Sequence, residues 1–391
     1  MSKKYRIDVV DALRGFAIMA ILFVHAVEHF HFFVYPDSAA NPNWLNVLNQ
    51  GVSKITFNLF AGKAYAIFAL LFGFSFFIQF YNRQKEGEDY GYRFLWRLLI
   101  LVLFATLNAI LYPAGDILLL YAIVGLFLFV VRHWSNKAIF CTALFFLLQP
   151  AEWFHYIASL FNPDYKLPDF RIGQLFGEVF RYISGGNLRE FIIGNLTVGQ
   201  KASLSWAIGA GRFSQTIGLF LLGYYIGRKQ YFNDTPQNYN FWVKVLVFSA
   251  VLFAPLYMLK VELYDNASVA LIRNTVGTAF DMWQKFVFMM VLIAAFVLLY
   301  RFPKTLKILS KLRNYGKMSL TNYISQSLIG ALIFFPIGLN LAQYSGYALS
   351  FMIGICVFIF QLAFSNWWMS KYKKGPLEQL WRNLVWIGRN K

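Results

Sequence analysis

Ten predominantly apolar runs, most of them near span length, leave this 391-residue chain little choice of fold. A helix needs about 20 such residues to cross a bilayer core. Inside that core each backbone N–H and C=O must be satisfied within the protein. The runs lie at 8–31, 55–81, 93–112, 116–132, 138–160, 204–227, 241–260, 281–300, 318–338 and 347–370. They predict an all-α, polytopic integral membrane bundle of about ten helices. The fourth run is short, and Pro150 interrupts the fifth. Hydrophobic residues make up 58% of the chain and charged ones 14%. No soluble domain of ordinary size remains, and 1–391 reads as a single transmembrane domain.

The opening MSKKYRI leads into the first run without a small-residue cleavage site, so that helix is expected to stay as an anchor. Nearly two-thirds of the 36 Lys and Arg fall in segments on the same side as the N-terminus, among them 301–317 and 371–391. The positive-inside rule then predicts both termini in the cytoplasm. It also accounts for the net charge of +18 without nucleic acid. Cys141 and Cys356 lie in apolar runs and form neither a disulfide framework nor a metal cluster.

The first run is the chemically loaded one. DVVDALRGFAIMAILFVHAVEHF carries Asp8, Asp11, Arg14, His25, Glu28 and His29 through an otherwise apolar helix. At about 100° per residue, all six fall within roughly 160° of the helix. Such groups face a protein interior or a wet cavity, since an Arg or Asp at a helix centre costs roughly 2.5–3.5 kcal/mol. Arg14 and His25 are nearly eclipsed and about 16 Å apart along the axis. The end groups also suit headgroup contacts, and His25 an interhelical hydrogen bond. His25 and His29 are four apart, but no third ligand accompanies them, so no metal is expected.

Other polar positions are sparse. Lys63 opens the second run and either reaches the outer interface or lines a site. Asp116 follows the turn Pro113-Ala114-Gly115 and suits a helix cap. Arg212 lies near the outer end of the sixth run, in GAGRFSQTIGLFLLGYYIGRK. Asp281 and Lys285, four apart, suit a mutual pair. Residues 161–203 form an outer amphipathic region whose run DFRIGQLFGEVFRYI predicts a helix on the outer leaflet. The basic segment 301–317, ending in Lys317, fits anionic headgroups or the phosphates of a nucleotide carrier. Ser319, Asn322, Tyr323 and Gln326 put polar atoms where the next helix enters the membrane. Asn322 and Gln326 share a face and suit interhelical hydrogen bonds or a ligand. The C-terminal 371–391 predicts a cytoplasmic interfacial segment.

Two resemblances follow from these residues. Arg14 and His25, with ten residues between them in the setting DALRGFAI, resemble the first-helix Arg-x10-His signature of the membrane acyltransferase three family. GDILLLYA, LLGYYIGR, GKMSLTNYISQSLIG and GPLEQLWRNLVW resemble the YeiB-like family, domain of unknown function 418. They spread along nearly the whole chain. Both families are grouped with transmembrane acyltransferases that include the glucosaminide N-acetyltransferase type. Members of the YeiB-like family often carry Asn where this chain has His25.

The resemblance implies an acyltransferase of the bacterial inner membrane, with acyl-CoA as donor and no tightly bound cofactor. A glycan, lipid or small molecule would be the acceptor. A neutral His is the natural base for the acceptor's proton. His25 takes that role, with Glu28 or His29 orienting it or relaying the proton. Arg14, held by Asp11, meets the donor, with Lys317, Ser319, Asn322, Tyr323 and Gln326 beside it. Lys63, Asp116 and Arg212 are further pocket residues. The alternative is a proton-coupled transporter, which also uses intramembrane Asp, Glu, His and Arg. The chain shows no internal repeat or pair of broken spans to favour it.

Overall fold

The apolar periodicity becomes helix throughout. The computed structural model describes residues 7–87 and 90–387, and each regular element there is helical. Helix α1 (Asp8–Val24) runs into a π turn at His25–His29, and α2 (Asn43–Leu59) leads to α3 (Ala64–Gln84). Next come α4 (Gly91–Leu111), α5 (Leu118–Val131), α6 (Asn136–Leu147) and α7 (Pro150–Phe161). The segment after α7 folds as α8 (Ile172–Ser184), α9 (Leu188–Gly194) and α10 (Gln200–Gly209), followed by α11 (Arg212–Arg228). Helices α12 (Pro236–Lys260), α13 (Ala270–Ile272), α14 (Thr278–Leu299) and α15 (Pro303–Leu309) follow. The chain closes with α16 (Leu312–Lys317), α17 (Ser319–Phe334), α18 (Tyr347–Lys371) and α19 (Pro376–Val385). The basic N-terminal residues before Ile7, and Arg389 and Lys391, lie outside the described residues.

Among the described residues six helices are long and apolar enough to cross a membrane, or seven when the bent pair α6–α7 counts as one. The expected 116–132 run is an apolar helix of only 14 residues. Helices α11 and α17, of 17 and 16 residues, also stop short of span length. The segment before 55, expected to be loop, is instead helical from Asn43. Its Asn and Gly content suggests a turn, but Trp44, Leu45, Val47, Leu48 and Ile55 give it the side chains of an apolar helix face.

Two breaks shape the bundle. Pro150 has no N–H to give the preceding turn and keeps Gln149 out of the helical region. Gln149 adopts φ +61°, and α6 and α7 meet at a 54° bend. Gly211, at φ +70°, separates α10 from α11.

Elsewhere glycine permits backbone contact. A Cβ on Gly73 would lie 1.9 Å from the Phe220 carbonyl oxygen, and one on Gly223 would lie 1.9 Å from that of Leu70. Helices α3 and α11 therefore cross at a pair of glycines facing each other's carbonyls. Helix α1 crosses α16 in the same way, where a Cβ on Gly316 would meet the Asp11 carbonyl oxygen at 1.9 Å.

The two ends of the bundle are closed differently. At the end where α1 begins, α19 lies across α4 and α17. Arg93 and Trp96 donate to the carbonyls of Val385 and Leu384, both at 3.0 Å. The Glu378 carboxylate accepts from the Leu320 and Thr321 amides at 2.8 and 3.1 Å and from the Thr321 hydroxyl at 2.7 Å. It thus caps α17, the type of partner an exposed helix N-terminus requires. Burial nonetheless pushes its carboxyl up from the usual range. At the opposite end α8 does not simply lie outward. Val179 and Ile183 are buried among Phe32, Phe191, Ala331 and Phe335, and Phe176 stacks on Phe32.

Candidate functional site

Helix α1 carries its stripe through the whole bundle, and the structure divides that stripe in two. Near its start, the Arg14 guanidinium donates to Asp11 at 3.1 Å and to the Ser75 hydroxyl at 2.8 Å. Asp8 pairs with Arg313 at 2.7 Å on the surface. Lys317 and Ser319 lie half-buried at the junction of α16 and α17.

In the middle, Asn322 and Gln326 enter a buried polar seam between α16, α17 and α18. The Asn322 amide donates to the Tyr315 carbonyl and to Ser365, both at 3.0 Å. Gln361 donates to the Asn322 carbonyl at 3.1 Å and to Ser325 at 2.7 Å, and it accepts from the Tyr315 hydroxyl at 2.9 Å. Asn322 is thus engaged in interhelical bonding, the structural role open to it in the sequence. Gln326 makes only 3.4 Å contacts to Ile18 and Tyr315, and its Oε1 is buried without a hydrogen-bond partner.

The far half gathers the rest. Where α1 ends, five residues adopt an i→i+5 turn: Phe30 N–H donates to the His25 carbonyl at 2.9 Å. This widened turn changes the angular spacing that places Glu28 and His29. The His25 ring lies 4.8 Å from Tyr112, 5.8 Å from His29 and 6.3 Å from Tyr323, centroid to centroid. Its Nδ1 is buried with no hydrogen-bond partner among the described residues. His29 stacks on Tyr112 at 4.1 Å and donates from Nε2 to the Pro113 carbonyl at 2.5 Å. A Cβ on Gly115 would meet the His29 ring at 2.3 Å, so the turn's glycine makes room for that imidazole.

Asp116 sits just beyond this turn. Its carboxylate accepts from Asn108 at 2.9 Å and from the Leu119 amide at 3.2 Å, so it does cap α5.

Arg212, the first residue of α11, completes the cluster. Its guanidinium is stacked over Trp206 at 4.0 Å and Tyr65 at 4.3 Å. Tyr65 in turn hydrogen-bonds Gln215, and Tyr121 donates to the Tyr65 carbonyl at 2.8 Å. The charge of Arg212 reaches His25, Glu28 and Lys285. Lys63, 5% exposed, lies beside Phe288 and within electrostatic reach of the Lys285–Asp281 pair, whose ion contact is 2.5 Å.

The structure therefore brings His25, Glu28, His29, Tyr323, Asp116, Arg212 and Lys63 to one half of the bundle. Asp11, Arg14, Lys317 and Ser319 lie at the other. Sequence reasoning missed Tyr112, Tyr65, Trp206 and Gln149. Gln149 carries the only faint signal, a polar residue before a proline inside an apolar run. No group of three or more His, Cys, Asp or Glu among the described residues is placed to hold a metal ion.

An aromatic-walled histidine pair and a stacked arginine inside a bundle of apolar helices define a class: a polytopic membrane protein with a buried polar site. Residues 226–388 match the family described as Protein of unknown function (DUF418). The chain is 27% identical to Uncharacterized protein YeiB of Escherichia coli, over 96% of this chain and 95% of that protein. It is 25% identical to Uncharacterized protein YxaH of Bacillus subtilis, over 98% and 94% of the two chains. An uncharacterized 39.9 kDa protein of Bacillus acidopullulyticus is also 25% identical, over 97% and 94%. The chain is thus similar to the YeiB-like proteins over nearly its whole length, and to the DUF418 family over its C-terminal part. No solved structure matches it.

Proposed function

We propose that this chain is an acyltransferase of the bacterial inner membrane with ten passes and both termini in the cytoplasm. It moves an acyl group from a cytosolic acyl-CoA to a glycan, lipid or small-molecule acceptor. The observation that carries the reading is His25: a half-buried imidazole on a widened helix turn, with Nδ1 lacking a protein partner. Buried polar atoms are nearly always paired, and an exception calls for a reason.

In this reading neutral His25 takes the proton of the acceptor hydroxyl or amine as its oxygen or nitrogen attacks the thioester carbonyl. The carbon–sulfur bond then breaks, and the thiolate leaves as coenzyme A, taking the proton back from His25. Tyr112 and Tyr323, whose rings lie 4.8 and 6.3 Å from that of His25, would donate to the developing oxyanion. Arg14, held by Asp11 and Ser75, meets the phosphate end of the donor, about 16 Å along α1 from His25. Lys317, Ser319 and neighbouring basic residues flank that approach.

Thermal unfolding of the detergent-purified protein with acetyl-CoA, a long-chain acyl-CoA and free coenzyme A tests the donor. Saturable stabilisation that is lost in Arg14→Ala supports it; no response to any of the three overturns a coenzyme A donor. Transfer of labelled acyl groups in membranes, abolished by His25→Ala in a folded protein, tests the base.

A second reading, proton-coupled transport, has one observation in its favour. The breaks at Gln149 and Gly211 meet, and interrupted helices commonly form transporter sites. Solute uptake by proteoliposomes with no acyl transfer would select it.

A further inference from the structure

The Arg212 guanidinium makes no hydrogen bond or ion pair among the described residues. It lies over the Trp206 and Tyr65 rings, 4.0 and 4.3 Å from their centroids, which leaves its N–H groups for a partner. Arginine presents those N–H groups as a rigid fork that matches carboxylate and phosphate.

The nearby carboxylates are accounted for. Asp281 is held by Lys285 at 2.5 Å, and Asp265 by Lys260 at 2.7 Å. Glu28 feels Arg212 but forms no ion pair with it. Arg212 is thus a cation without an ion-pair partner among the described residues, in a setting where uncompensated charge is costly.

A second observation points to the same place. Gln149 is fully buried, and neither its Oε1 nor its Nε2 has a hydrogen-bond partner. Its Oε1 lies 3.2 Å from where a Gly211 Cβ would stand, directly beside the backbone that precedes Arg212. Two helix breaks and a buried, unpaired amide therefore converge on the start of α11, whose first residue is Arg212.

We propose that Arg212, on its Trp206–Tyr65 platform, is a binding site for an anionic carboxylate or phosphate group, supported by Gln149 and the neighbouring lysines. This deepens the acyltransferase reading, and rests on it for one point only: the anion then belongs to the acceptor, whose hydroxyl or amine is thereby delivered to His25. Glu28, three residues from His25 and within electrostatic reach of Arg212, would accept a hydrogen bond from the same molecule while His25 takes its proton.

The test is binding by the full-length protein in neutral detergent, read as a thermal shift. The probes are sodium phosphate, sodium acetate, a short-chain phosphatidylglycerol and, as control, a short-chain phosphatidylcholine. Wild type is expected to be stabilised saturably by at least one anion and not by the control. Response to phosphatidylglycerol alone assigns a lipid headgroup as the source; response to phosphate or acetate assigns a soluble one.

Arg212→Gln is expected to weaken binding about 10- to 100-fold, as for the loss of a charged hydrogen bond. Arg212→Lys keeps the charge without the fork, should weaken it less, and covers the case in which Arg212→Gln does not fold. Lys137→Gln, at an exposed position, should bind as wild type. No stabilisation of wild type by any anion, or equal binding by the Arg212 variants, overturns the site. His25→Ala should retain binding and lose transfer. Anion binding without transfer in wild type would leave this site standing and remove the acyltransferase reading.

Discussion

His29 donates from Nε2 to the Pro113 carbonyl at 2.5 Å while its ring lies on Tyr112. The bond fixes which nitrogen carries the proton when the ring is neutral, so Nδ1 is left as the acceptor. It also ties the end of α1 to the turn before Asp116. The base region and the α4–α5 turn are one unit.

The first consequence concerns Gly115. Its missing Cβ leaves the space that the His29 ring occupies. Gly115→Ala is expected to displace that ring, destabilise the protein by about 1–3 kcal/mol and depress transfer. Thermal midpoints and acyl-transfer rates check this. An unchanged rate would mean that the orientation of His29 does not matter for chemistry.

His25→Ala and His25→Gln should each lower transfer by about 10²- to 10⁴-fold, the usual contribution of general base catalysis. Their unfolding midpoints should stay close to wild type, because the ring's Nδ1 makes no protein hydrogen bond to lose. A variant that folds and turns over normally would remove the proposed base.

The glycine crossing of α3 and α11 should tolerate no methyl group. In Gly223→Ala the new Cβ meets a backbone oxygen rather than a movable side chain, so a loss of about 1–3 kcal/mol or more is expected. Gly51→Ala is the contrast: nothing lies within 4 Å of its Cβ position on α2. That change should be neutral or stabilising by up to about 0.5–1 kcal/mol. Parallel melting curves decide both.

The docking of α19 should depend on pH. Burial raises the Glu378 carboxyl in the folded state, so the folded form binds the proton more tightly than the unfolded one. The stabilisation from this group is then fully present below the ordinary carboxylate range and lost as pH rises through the raised value. Glu378→Gln stays neutral and still accepts from the α17 amides, so its docking should not vary over that window. Hydrogen exchange of residues 376–385 across pH would show wild type loosening upward and the variant flat. Parallel profiles would leave Glu378 without that influence.

The helical class, the long apolar stretches and the polar stripe of α1 were legible because they rest on local composition and period. Asp116 as a cap and Asp281–Lys285 as a pair were legible for the same reason. The π turn at His25–His29 was not, since a constant 100° per residue cannot register an i→i+5 bond. Tyr112, Tyr65 and Trp206 were hidden because aromatic residues are abundant in this chain, and only tertiary packing selects these three. Asn322 looked equally suited to a ligand and to a neighbouring helix. Its partner Tyr315 is near in sequence, but Ser365 is 43 residues away and only the fold brings it there.

The backbone contact between α3 and α11 sets a ruler inside the protein. Gly73 and Gly223 each accept the other helix's carbonyl at one level only, so neither helix can slide by a residue without driving a side chain into a backbone. Tyr65 starts two turns above one glycine, and Arg212 three turns above the other. Their stacking distance is thus inherited from a crossing deep in the bundle. A single-residue insertion between Tyr65 and Gly73 would rotate Tyr65 away from Arg212 while leaving both residues present, so the length of these two segments carries as much information as their composition.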